Sequence, residues 1–243
     1  MAVISLLTVQ NSLGVRRVEH VPPQLLGEQL DALCDDALPR AIKTGALGGA
    51  EHVAVVADRL AGRDVELVID PVMSSKSGAA LLDADGCEAL KRQLLPLATL
   101  LTPNLDEAGL LLGRNVHDPC DVVDAARELV TLGPKAVLLK GGHRAGDAVD
   151  VLCVAGEVYE LHAPRIATRH THGVGCTLSA AITARLALGH ELLEACCLAK
   201  RWLTLALERA PGIGAGQGAV DHLAPLPDIE ADARSLVSVR KLV

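Results

Sequence analysis

The sequence predicts an α/β protein, a three-layer αβα sandwich with a mostly parallel central sheet. Three observations predict it. Apolar runs of strand length alternate with stretches of helical periodicity along most of the chain. The strand runs are almost wholly apolar, the pattern of strands covered by helices on both faces. The 243 residues are half apolar yet include no Phe, one Trp and one Tyr, so the core must be Leu, Val, Ile and Ala.

The elements follow in order. Ala2–Gln10 reads as a buried first strand, and Pro22-Pro23 opens a helix over Gln24–Ala37. Ala41–Ala46, Glu66–Pro71, Leu100–Pro103 and Ala136–Lys140 read as the next strands, with helices over Glu51–Ala61, Gly86–Leu95 and Asp121–Leu132 between them. A strand pair, Val149–Val154 and Val158–Leu161, is separated by Ala155-Gly156-Glu157. Helices over Cys176–Leu188 and Leu192–Arg209 close the folded part. The stretch from Pro211 is rich in Gly, Pro and charge and is expected to be only partly ordered, with 223–243 as a flexible tail. No linker or repeat divides the chain, so 1–243 reads as one domain.

A net charge of −7 argues against nucleic-acid and anionic-membrane partners. There is no apolar run of about 18 residues to span a membrane. The first ten residues lack a basic segment and a small-residue cleavage site. The seven cysteines show neither CxxC nor zinc spacing, as for free thiols in a reducing cytoplasm.

In an open parallel sheet, ligands bind beyond the carboxyl ends of the strands. The polar residues cluster at those ends: Gln10-Asn11, Lys43-Thr44-Gly45, Asp70-Pro71, Asn104 and Lys140-Gly141-Gly142. Asp70 suits a Mg²⁺ ion held directly or through water, or it caps a loop. Asn104 and Glu107 form either a capping box or, for Glu107, part of the metal's water shell with Asp106 facing solvent; both can hold together. Lys140 either neutralises nucleotide phosphates or snorkels to water before a glycine turn. His170 and His172 flank Thr171 and suit packing or hydrogen bonding better than metal ligation, because no third ligand is indicated.

The segment Thr171-His172-Gly173-Val174-Gly175-Cys176-Thr177 carries the strongest chemistry. It leads from an extended stretch into an apolar helix, whose first N–H groups are unpaired and whose dipole favours anions. Glycines let an anion approach that backbone, and a thiol there is expected to have a depressed pKa. Successive N–H groups at such a turn can hold a transferring phosphoryl group.

The ordered set Val9-Gln10-Asn11, Lys43-Thr44-Gly45, Asp70-Pro71-Val72-Met73, Lys76-Ser77-Gly78, Thr102-Pro103-Asn104-Leu105-x-Glu107-Ala108, Lys140-Gly141-Gly142-His143 and Thr171–Ala181 resembles the hydroxymethylpyrimidine/phosphomethylpyrimidine kinases of thiamine biosynthesis, within the ribokinase-like superfamily. The resemblance runs from residue 1 to about 222. It implies two ATP-dependent phosphorylations, of 4-amino-5-hydroxymethyl-2-methylpyrimidine and then of its monophosphate. It implies that Gln10 hydrogen-bonds the aminopyrimidine and that Asp70 and Glu107 manage Mg²⁺. Lys140, Thr171 and Lys200 would meet the ATP phosphates, and Gly173, Gly175 and Cys176 would form the anion hole with its thiol. Lys200 reads equally as a lysine on an exposed helix face. A homodimer is the family expectation.

Family members carry about 30 further residues ahead of the strand matched to Ala2–Gln10, room for a strand, a turn and a helix. That segment holds a glycine-rich stretch and a substrate-contacting Asp, and this sequence begins after it. One alternative is therefore a truncated, non-catalytic nucleotide-binding homologue; the other, a pyridoxal/pyridoxine kinase, is implied by relatives with a cysteine at the position of Cys176 that accept vitamin B6 compounds.

Overall fold

The computed structural model describes residues 1–75, 78–118, 121–142, 146–225 and 237–242. Lys76, Ser77 and His143, all named above, lie outside them, as do Cys120 and 226–236 of the tail.

The chain opens with an antiparallel hairpin, β1 (Leu6–Asn11) and β2 (Gly14–His20), that forms a two-stranded sheet of its own. The central sheet has seven strands in sequence order: β3 (Ala41–Thr44), β4 (Glu66–Ile69), β5 (Leu100–Leu101), β6 (Ala136–Leu139), β7 (Ala148–Val154), β8 (Glu157–Ala163) and β9 (Ser238–Leu242). β3 to β6 pair in parallel and β6 to β9 antiparallel, so five of the seven strands point the same way.

Side-chain alternation along the strands builds the two outer layers. Leu67, Ile69, Val137 and Leu139 face a core with helices α1 (Pro23–Asp36), α2 (Ala50–Leu60), α3 (Ala84–Ala89), α4 (Leu105–Leu112) and α5 (Val122–Val130). Val68, Leu100, Ala136 and Leu138 face the other core, with α6 (Val174–Ala187) and α7 (Leu192–Glu208). Both faces are covered at β4, β5 and β6, which is why those strands read as almost wholly apolar. The three-layer sandwich with a mostly parallel sheet is as the sequence predicts.

Four elements depart from the sequence reading. The first strand is not buried: in β1, Leu7 and Val9 are exposed and only Leu6 and Thr8 are half-buried. An apolar run suited two kinds of strand, and only the tertiary position decides between them. β2 is absent from that reading because Gly-Val-Arg-Arg-Val-Glu-His has no clean period. The helix expected over Gly86–Leu95 is α3 followed by a π turn (Leu90–Leu94) and a 3₁₀ turn (Leu95–Leu97), where Pro96 lacks the N–H needed to continue. Ser238–Leu242, read as part of a flexible tail, pairs with β8 as an edge strand.

Candidate active site

The carboxyl ends of β3, β4, β5 and β6 meet at a cavity of about 560 Å³. Lys43, Asp70, Asn104, Glu107 and Lys140 line its floor. Asp70, 1% exposed, follows the last residue of β4. Its Oδ1 is 2.8 Å from Lys140 Nζ, and its Oδ2 is 3.6 Å from Lys43 Nζ and 3.2 Å from Ser179 Oγ. Burial pushes the Asp70 carboxyl up, but the two ammonium groups outweigh it and hold it below the usual range. Lys140 is likewise opposed by burial yet raised by Asp70 and Glu107. It is a buried, paired cation rather than a strand-end lysine reaching for water.

Asn104 and Glu107 form the complete capping box of α4: each side chain accepts the other's backbone N–H at 2.8 Å. Glu107 nonetheless lines the cavity, 4.0 Å from Lys140 Nζ. Burial raises its pKa to about 7, because the single ammonium nearby is shared with Asp70. A carboxylate so placed fits a divalent cation. Among the described residues no group of three His, Cys, Asp or Glu is placed to hold a metal ion by itself. Any metal here would thus take most of its oxygen ligands from phosphate and water, as Mg²⁺ prefers. Asp106 points outward, 3.0 Å from His117.

Lys200 is not on an exposed face. It is 5% exposed, borders the cavity, and its Nζ lies 2.5 Å from Asp150 Oδ2. Asp150 Oδ1 accepts the Gly141 N–H at 2.9 Å. Asp150 therefore ties the turn after Lys140 to α7. The sequence reading misses this residue, although a carboxylate at an inward position of a buried strand was the available signal.

The Gly173–Cys176 turn stands at the start of α6, where the sequence places it. Gly173 adopts φ +74° at the start of α6, a left-handed conformation that glycine permits without strain. A Cβ on Gly175 would sit 3.1 Å from Lys140 Nζ, so the turn abuts the buried cation. Cys176 opens onto the cavity. Its pKa is raised, first by burial and then by the adjacent Asp70 charge. This corrects the expectation of a depressed value: the neighbouring carboxylate and desolvation outweigh the helix terminus and the lysines.

Opposite the floor lies the hairpin. Leu6, Thr8 and Gln10 line the cavity, while Leu7 and Val9 face outward. A register shift between Val9 and Gln10 bends the strand at that point. Thr171 and His172 also line the cavity. His170 accepts the Gly218 N–H through Nδ1 at 3.2 Å, a hydrogen-bonding role. Every candidate residue, Gln10, Asp70, Glu107, Lys140, Thr171, Gly173, Gly175, Cys176 and Lys200, borders this one cavity.

The phosphomethylpyrimidine kinase family model matches residues 1–221. The chain belongs to the phosphomethylpyrimidine kinase family. The hydroxymethylpyrimidine/phosphomethylpyrimidine kinase of Synechococcus elongatus is 47% identical over 225 residues, covering 92% of this chain and 86% of that one. Among solved structures, the phosphomethylpyrimidine kinase of Clostridium difficile aligns over 84% of both chains at 39% identity and a TM-score of 0.73. The pyridoxal kinase of Staphylococcus aureus, in complex with pyridoxal, aligns over 100% of this chain and 87% of its own at 29% identity and a TM-score of 0.87. The ribokinase-like architecture is common to these phosphomethylpyrimidine and pyridoxal kinases, and the family's activity implies ATP as phosphoryl donor.

Proposed function

We propose that this chain phosphorylates 4-amino-5-hydroxymethyl-2-methylpyrimidine with ATP, then phosphorylates the monophosphate to the diphosphate, within thiamine biosynthesis. One observation carries the reading: a buried Lys140–Asp70 pair, Glu107 and a glycine-cysteine helix start converge at one end of a cavity. Phosphoryl transfer needs that combination of positive charge and oriented N–H donors more than covalent chemistry.

In this reading the acceptor hydroxyl oxygen bonds to the γ-phosphorus, the β–γ bridging P–O bond breaks, and ADP departs. Lys140, Lys200 and Thr171 meet the nucleotide phosphates. The N–H groups at Gly173, Gly175 and Cys176 hold the transferring group. Cys176 acts as a neutral thiol: its S–H faces Asp70 and its sulfur orients the acceptor hydroxyl, whose proton passes to a non-bridging oxygen of the transferred phosphoryl group. A raised pKa leaves little thiolate at neutral pH to serve as a base. Gln10 bonds the aminopyrimidine. Mg²⁺, held near Glu107 and Asp70, supplies charge neutralisation of the phosphates. The exposed Leu7 (59%), Val9 (55%) and Leu13 (68%) of the hairpin support a homodimer. Free buried thiols at Cys34, Cys153 and Cys196 suit the cytoplasm, and residues 1–243 act as one kinase domain.

The likeness to a pyridoxal kinase supports a second acceptor, pyridoxal. Turnover of ATP with the hydroxymethylpyrimidine, its monophosphate and pyridoxal separates the two. The first two acceptors are expected to react, and turnover of pyridoxal alone overturns the thiamine assignment. In Cys176→Ala the transfer rate is expected to fall by about 10²-fold with little change in ATP binding. Wild-type turnover there reduces Cys176 to packing.

A further inference from the structure

The glycine-rich stretch after α7, Pro211-Gly-Ile-Gly-Ala-Gly-Gln-Gly218, has no place in the chemistry above, yet its contacts bridge two walls of the cavity. On one side it meets the hairpin tip. Ser12 O accepts the Gln217 N–H at 2.9 Å, and Ser12 Oγ accepts the Gly216 N–H at 3.1 Å. On the other side it meets the approach to the anion turn. Gly218 donates its N–H to His170 Nδ1 at 3.2 Å, and Gly218 O accepts the His172 N–H at 3.0 Å. His172 and Ala219 form a parallel bridge, and the Asp221 N–H bonds Ala206 O, fastening the segment to α7.

Close approach explains why glycines fall at alternate positions. A Cβ on Gly216 would come within 2.0 Å of the Ser12 carbonyl oxygen, which is backbone and cannot swing aside. On Gly218 it would come within 2.7 Å of His170 Nδ1 and 2.8 Å of Ile213 O.

We propose that residues 212–219 are a latch that positions the acceptor-binding wall against the phosphoryl-transfer turn, with Ser12, Gly216, Gly218 and His170 as its positioning residues. Ser12 stands two residues from Gln10, and His172 adjoins Gly173. The latch therefore joins the pyrimidine end of the cavity to the anion turn by two pairs of hydrogen bonds. The base of the hairpin is pinned separately to the body, by Ser5 Oγ on Ala46 O at 2.6 Å and by His52 Nε2 of α2 on Val21 O at 2.7 Å. Only the tip depends on the latch. The inference rests on the reading of the cavity as a kinase acceptor site.

The test is Gly216→Ala, with Ser12→Ala and His170→Ala as milder variants should the first fold poorly. Loss of the latch is expected to raise the acceptor KM about tenfold in Gly216→Ala and less in the other two, with the ATP KM within about twofold of wild type. Amide hydrogen exchange without substrate is expected to quicken across Leu6–Gly14 and stay unchanged in β4 and β6. A folded Gly216→Ala protein with an unchanged acceptor KM and unchanged exchange at the hairpin overturns the latch, as does an equal rise in both KM values. If pyridoxal proves the acceptor, the same split in its KM upholds the latch while the pyrimidine reading falls.

Discussion

The floor and the roof of the cavity are built by opposite means. The floor is the carboxyl edge of β3 to β6, whose strand residues Val68, Leu100, Val137 and Leu139 are all fully buried. Its charged groups are locked in ion pairs, and the strands beneath them are held by packing on two faces. The roof is a two-stranded hairpin with outward apolar residues, held by a few hydrogen bonds at its base and tip. The floor can keep phosphoryl-transfer groups in fixed geometry, while the roof can yield to admit an acceptor. Under the proposed function the division of labour follows: chemistry on the rigid side, acceptor recognition on the yielding side.

Breaking the floor is expected to have the largest effect. Lys140→Met removes the ammonium beside both Asp70 and the anion turn, and kcat is expected to fall by about 10²–10³-fold in steady-state assays. A loss confined to KM for the acceptor argues that Lys140 belongs to recognition instead.

Stability sharpens the contrast next. Leu139→Ala, at a fully buried position, is expected to cost about 2–5 kcal/mol in denaturant unfolding. Arg16→Ala, at an exposed position of the roof's second strand, is expected to lie within about 0.5 kcal/mol of wild type. Equal costs at both sites would mean that the hairpin is as firmly built as the sheet.

A pH dependence within the floor is the third effect. The Glu107 carboxyl is raised from 4.5 to about 7, so between those values the folded protein holds a proton that the unfolded chain has released. Its contribution is most favourable below about 4.5 and is lost as pH rises through about 7. Glu107→Gln removes that loss, and its melting temperature relative to wild type is expected to rise between pH 5 and pH 8. A constant difference across that range contradicts a raised carboxyl.

The same contrast governs what the sequence reveals. The floor is legible because fully covered strands leave uninterrupted apolar runs, and every run ends in a polar residue that has nowhere to go but the cavity. Asp70 and Lys140 stand out in this way, while Glu107 stands out by its capping-box spacing and the Gly173–Cys176 turn by its glycines at a helix start. The roof is not legible. The apolar character of Leu6, Leu7 and Val9 suits a core strand, and nothing local in Gly14–His20 signals its partner. The charge state of Cys176 was hidden for a different reason: the local helix start points to a lowered pKa, whereas Asp70, distant in sequence, reverses it. Asp150 was hidden similarly, since its partners Gly141 and Lys200 come from other elements. Local pattern specifies strands and turns, while tertiary neighbours set burial and charge.

The most direct test of this division is the pair of KM values, for the hydroxymethylpyrimidine and for ATP, in Gln10→Ala beside wild type. The acceptor KM is predicted to rise by about tenfold or more with the ATP KM within about twofold, because Gln10 stands on the roof and the phosphate groups meet the floor. An unchanged acceptor KM, or an ATP KM that rises with it, would contradict the account.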